Sequence, residues 1–173
     1  MNLPPDRRLP EDPVILRTLP LKLLTQLEIP VLAFQESGVY HMHRARCTGT
    51  QLLRNQAIRN DWVWIQAGNE HTYGALRGRL PARLIALFKI RSAYMQQDTV
   101  FCLAGVQFLS LVDSGRPSDT HGLVTVQLRD VTRELTMIVD IGTVLGLAHL
   151  IPEIDRRWLV NSRIDLRTFN DIY

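Results

Sequence analysis

The stretch Leu80-Pro81-Ala82-Arg83-Leu84-Ile85-Ala86-Leu87-Phe88-Lys89-Ile90-Arg91 decides the fold class, because two periodicities fit it. At helical spacing Leu80, Leu84, Leu87, Phe88 and Arg91 share a face, with Pro81 in the first turn, where a missing N–H is tolerated. At period two Ala82, Leu84, Ala86, Phe88 and Ile90 share one face of a strand. A helix here would make an α+β protein, whereas a strand makes the chain mainly β. The neighbouring segments read as strands and the run has basic ends, which favours the strand.

Working towards the N-terminus, Trp62-Val63-Trp64-Ile65 is a compact aromatic and β-branched run bounded by Arg59-Asn60-Asp61 and Gly68-Asn69. Its alternation puts both tryptophans on one face. Tyr40 to Cys47 alternates as well, with Tyr40, Met42, Arg44 and Arg46 opposite His41, His43, Ala45 and Cys47. Val31 to Phe34 reads as a short strand. Leu23, Leu24 and Leu27 are spaced for a short helix that Pro30 ends. Met1 to Pro13 holds four of the nine prolines and reads as an extended arm.

Towards the C-terminus, Val100 to Val112 is apolar on both faces and reads as a buried strand with a bulge or bend at Gly105. Gly122 to Arg129 alternates cleanly, with Val124, Val126 and Leu128 on one side. Asp130 to Arg133 reads as a turn, so that Gly122 to Ile141 forms a hairpin. Ser114 to Asp119 is a loop, and Gly142 to Leu150 is expected to be a short helix. Arg157 to Ile164 alternates as a strand, after which Asp165 caps a last helical turn. The expected architecture is a small curled sheet or β-barrel of six to eight short strands with two or three short helices. Residues 14–173 then form a single domain behind the arm 1–13.

Composition supports an ordinary folded domain. The chain has 173 residues, of which 46% are hydrophobic and 21% charged, enough apolar side chain to offset the ordering entropy. No run approaches the roughly 20 apolar residues of a membrane helix, so no membrane partner is expected. Two cysteines, Cys47 and Cys102, exclude a disulfide framework and a four-cysteine zinc module. The N-terminus lacks the apolar core of a signal peptide, which points to an intracellular location.

The net charge of +3 conceals a strong division. Met1 to Val39 carries −1, Tyr40 to Arg91 carries +7, and Ser92 to Tyr173 carries −3. Eighteen of the 20 basic residues are Arg, the side chain that pairs bidentately with phosphate and carboxylate. The basic block supplies the nucleic-acid-binding candidates Arg44, Arg46, Arg54, Arg59, Arg77, Arg79, Arg83, Lys89 and Arg91. Trp62, Trp64 and Tyr73 lie within it and are candidates for stacking a base or a peptide side chain, although Trp62-Val63-Trp64-Ile65 is equally a good core strand.

Other chemistries are poorly supplied. His41, His43 and Cys47 are metal-ligand types on one strand face, but no second pair of close-spaced ligands accompanies them. Ser114, Ser118, Asp119 and His121 cluster without a strand–nucleophile–helix signature. Gly74 to Arg79 lacks the Gly-Lys-Ser/Thr ending of a phosphate-binding loop. Asp113, Asp119, Asp140 and Asp165 stand at turn and cap positions, which accounts for them without metal-assisted cleavage. No catalytic residue, cofactor or metal is therefore expected. A small hydrolase or metal enzyme remains the weakest of the alternatives.

Five stretches carry a family resemblance: Val39-Tyr40-His41-Met42-His43-Arg44-Ala45-Arg46-Cys47, Arg59-Asn60-Asp61-Trp62-Val63-Trp64-Ile65-Gln66, Leu80-Pro81-Ala82-Arg83-Leu84 running to Phe88-Lys89-Ile90-Arg91, Gly122-Leu123-Val124-Thr125-Val126, and Arg157-Trp158-Leu159-Val160-Asn161-Ser162-Arg163-Ile164-Asp165-Leu166. From Val39 to Tyr173 the chain resembles the C-terminal region of fungal Plavaka-type transposon proteins, relatives of the CACTA transposases, or a standalone fragment of one. The resemblance places the family's acidic catalytic core upstream of such a region. It thus implies a non-catalytic accessory domain, a nuclear location, and DNA or chromatin as partner. An acidic or modified protein segment, held as small chromatin-reader barrels hold theirs, is the alternative partner.

Overall fold

A computed structural model describes residues 21–32, 40–47, 59–69, 71–92, 99–112, 123–128 and 136–161. In chain order its strands are β1 (Leu21–Leu24), β2 (Gln26–Leu32), β3 (Tyr40–Arg46), β4 (Trp62–Gln66), β5 (Arg79–Ser92), β6 (Thr99–Leu111), β7 (Leu123–Leu128), β8 (Thr136–Asp140), β9 (Val144–Leu147), β10 (Leu150–Pro152) and β11 (Arg157–Asn161). Only 3-10 turns, Gly74–Leu76 and Ile141–Thr143, interrupt them among the described residues. The protein is mainly β.

The ambiguous stretch is strand β5. Its backbone is paired on both edges, with β6 along one and with β1 and β4 along the other. Most of its backbone hydrogen bonding is therefore made across the sheet instead of within a helix. The register slips between Leu84 and Ala86, so one extra residue enters β5 there. This bulge explains why both periodicities fitted. Ala82, Leu84 and Leu87 are buried on one side, while Ala86, Phe88 and Ile90 turn to the other. The uninterrupted alternation expected through Ile90 breaks at this point. The bulge lies in β5 rather than in β6, and Gly105 of β6 is the residue it faces.

The long β5–β6 hairpin is the spine of a sheet ordered β10-β11-β7-β6-β5-β4-β9, with β1 added beside β5 and β8 beside β6. Four strand spacings separate β11 from β4, roughly 19 Å in a flat sheet. Yet the rings of Trp158 on β11 and Trp62 on β4 lie only 5.3 Å apart, centroid to centroid. Two indoles cannot span the difference in a flat sheet. The sheet is therefore curled towards the face that carries both tryptophans.

That concave face holds Leu109, Val124, Val126 and Val160, with Leu76 from the first 3-10 turn and Trp62, Trp64 and Trp158 packed against them. The convex face holds Val63, Ile65, Ala82, Leu84, Leu87, Ala104 and Val106. It is covered by β2 and β3, a separate two-stranded ribbon that contributes Ile29, Ala45 and Cys47. Apolar area is thus removed from water on both sides of one sheet, the main term holding it together.

Three local expectations give way to the tertiary structure. Leu23, Leu24 and Leu27 lie in strands β1 and β2 instead of a helix, since β5 and β3 offer them edges, and Pro30 is accommodated opposite Met42 in the ribbon. The helix expected over Gly142 to Leu150 is a single 3-10 turn followed by β9 and β10. Finally, β7 and β8 do not form a hairpin with each other. Both pair with β6, whose 13 residues offer Leu103–Gln107 to β8 and Leu109–Leu111 to β7. The arm, the Ser114–Asp119 loop and the Asp165 turn lie outside the described residues.

Candidate nucleic-acid interface

Strand alternation distributes the basic block over both sides of the curled sheet. On β3, Ala45 turns inward, so Arg44 and Arg46 project from the outer face of the ribbon, about 6.8 Å apart along the strand. Arg44 meets Glu28 of β2 at 3.1 Å. Beyond β3 the chain is tied to the start of β4. Asp61 accepts a hydrogen bond from the Arg46 backbone N–H at 2.8 Å through Oδ2 and holds the Arg59 guanidinium at 2.9 Å through Oδ1. One carboxylate therefore sets Arg59 beside Arg46. The exposed Arg44–Glu28 pair contributes about 0–1 kcal/mol, so Arg44 exchanges readily to another anion.

Further along the convex side, Lys89 and Arg91 follow Leu87 at the period of a strand and are exposed. They are joined there by Lys22, which sequence reading did not single out. The β1–β5 register sets Lys22 directly opposite Lys89. No local pattern joins two residues so distant in the chain; only the strand pairing does.

Arg79 and Arg83 face the other way. Arg83 sits between Trp62 on β4 and the buried Gln107 on β6. Arg79 donates through Nε to the Leu76 carbonyl at 3.3 Å and places its guanidinium 5.7 Å from the Trp64 ring centroid, a cation–π contact. Trp62 and Trp64 are half-buried components of the concave core. Tyr73 and Arg77 are exposed on the turn between β4 and β5, both with left-handed backbone, φ 61° and 48°. Arg54 lies outside the described residues. Of the nine candidate cations, the convex side and ribbon gather Arg44, Arg46, Arg59, Lys89 and Arg91; Arg77, Arg79 and Arg83 lie elsewhere.

The same ribbon carries the histidines. His43 turns inward beside Ala45, its Nδ1 is buried without a hydrogen-bond partner, and its pKa is lowered. Burial is the main cause, followed by the charges that His149 and His41 would carry. Cys47, on the same strand face, is buried. Among the described residues no group of three or more His, Cys, Asp or Glu side chains is placed to hold a metal ion. None of the described helical segments is long and apolar enough to cross a membrane. Asp140 serves as a cap, accepting the Gly142 N–H at 2.7 Å.

No family model, curated protein or solved structure matches this chain.

Proposed function

We propose that this chain is a non-catalytic accessory domain that contacts DNA through the convex side of its curled sheet. The observation that carries the reading is the placement of Arg44, Arg46 and Arg59 on and beside the ribbon, with Lys89 and Arg91 beyond them on the same side of the sheet. Such a surface neutralises backbone phosphates without reading bases, and β3 presents Arg44 and Arg46 from one face at the spacing of a strand. The origin proposed for it is the C-terminal region of a transposase of the Plavaka type, with a nuclear location following from that origin.

The test is duplex DNA binding across a salt series. Five phosphate contacts give a slope of about −4.5 in log affinity against log salt. Arg46→Ala is expected to reduce that slope by about one unit, whereas Arg83→Ala on the concave face leaves it unchanged. Absence of binding at low salt, or equal effects of the two substitutions, would refute the convex interface.

A further inference from the structure

The only two lysines of the chain stand directly opposite each other, Lys22 on β1 and Lys89 on β5. Like charges facing across a strand pair destabilise it. Both side chains are exposed, and neither has a carboxylate partner among the described residues. β1 pairs with β5 alone, so among the described residues its outer edge is a sheet edge. Its two faces differ sharply. Lys22 points to the convex side. Leu21 and Leu23, 56% and 51% exposed, point to the concave side beside Ile90 and Phe88, next to the buried Phe101 and Leu103.

A strand added to this edge would meet apolar surface at Leu21, cation at Lys22 with Lys89 behind it, and apolar surface again at Leu23. A second copy of β1 is a poor occupant. In register it brings Lys22 against Lys22 with a Lys89 behind each, and shifted by two residues it leaves the two lysines diagonal neighbours roughly 7–8 Å apart. Shifted by one residue, it turns lysine to the leucine side. Lysine on an edge is a known barrier to self-pairing, and here it is doubled.

We propose that the outer edge of β1 receives an extended segment of another protein in which acidic and apolar residues alternate. Acidic side chains lie over Lys22 and Lys89, apolar ones cover Leu21 and Leu23, and the backbones pair as in strand addition. This surface goes beyond the DNA reading, since it depends on backbone pairing and on Leu21 and Leu23, which phosphate contact does not use.

The experiment measures fluorescence anisotropy of a short labelled peptide alternating valine and glutamate. Two further peptides carry backbone N-methyl groups on one or the other alternate set of residues, with side chains and charge unchanged. The unmodified peptide is expected to bind, and methylation of at least one set to weaken it on the order of tenfold or more. Lys22→Gln is expected to weaken binding, and Lys22→Glu, which turns the like-charge pair into an ion pair with Lys89, to abolish it. Both variants are checked for intact strand content by circular dichroism. Failure of the unmodified peptide to bind, or equal binding of all three peptides, overturns the proposal. Duplex DNA measured in parallel separates the two surfaces, since a Leu23→Thr variant is expected to lose peptide affinity while keeping DNA affinity.

Discussion

The contact between Trp62 and Trp158 joins strands that are four places apart in the sheet, so it reports directly on curling. Its rings meet at 5.3 Å with planes tilted by 55°, within the favourable range for aromatic pairs. Such a pair is worth about 0.5–1.5 kcal/mol beyond the area it buries. Replacing either ring by leucine removes this term, and Trp158→Leu also removes packing beside Val126, directly opposite it on β7. Both indoles are half-buried, so each single substitution is expected to cost about 2–3 kcal/mol, at or below the lower end of the range for large core truncations.

The informative quantity is the coupling. Trp62→Leu, Trp158→Leu and the double variant, unfolded in urea and followed by far-UV circular dichroism, form a thermodynamic cycle. A curled sheet with touching rings predicts a coupling of about 1 kcal/mol. In a flat sheet the residues would lie beyond the separation at which substitutions add within about 0.3–0.5 kcal/mol. Additivity within that margin would refute the contact, and with it the curl deduced from it.

Two further outcomes follow from single residues. Gly78 has φ +75°, and a Cβ there would collide with the Asn69 backbone carbonyl, so Gly78→Ala is expected to cost at least about 1–3 kcal/mol in chemical denaturation. The lowered pKa of His43 means that the unfolded chain binds its proton more readily than the folded one. Its contribution is therefore present above pH of about 6.5 and lost as pH falls through the folded-state value. The urea midpoint is expected to drop between pH 7.5 and 5, and His43→Leu to reduce that drop; an unchanged pH profile would contradict it.

Much of the architecture was legible locally because a half-buried strand writes its two faces into the sequence at period two. The alternation in Tyr40–Cys47, Trp62–Ile65 and Val124–Leu128 assigned neighbouring residues to opposite faces of β3, β4 and β7, as their burial patterns bear out. Asp140 was likewise legible, as a cap at the start of a turn. Short apolar runs such as Leu21–Leu24 carry too few residues to distinguish strand from helix, so the choice fell to whichever partner edge was free. The bulge at Ile85 left two superimposed periodicities, and only pairing with β6 resolves them.

The candidate interface divides in the same manner. Composition and local alternation establish that the middle of the chain is basic, that Arg44 and Arg46 share one face, and that the two tryptophans share another. The tertiary structure alone decided which of those faces lies outside. Covering of the convex side by the ribbon sent Arg44 and Arg46 to solvent, and curling of the sheet drew Trp62 and Trp64 into a core with Trp158. It also brought Lys22 against Lys89 across an edge. The physical reason is that side-chain alternation is set by the local backbone, whereas strand partners, curl and edges depend on contacts between distant segments.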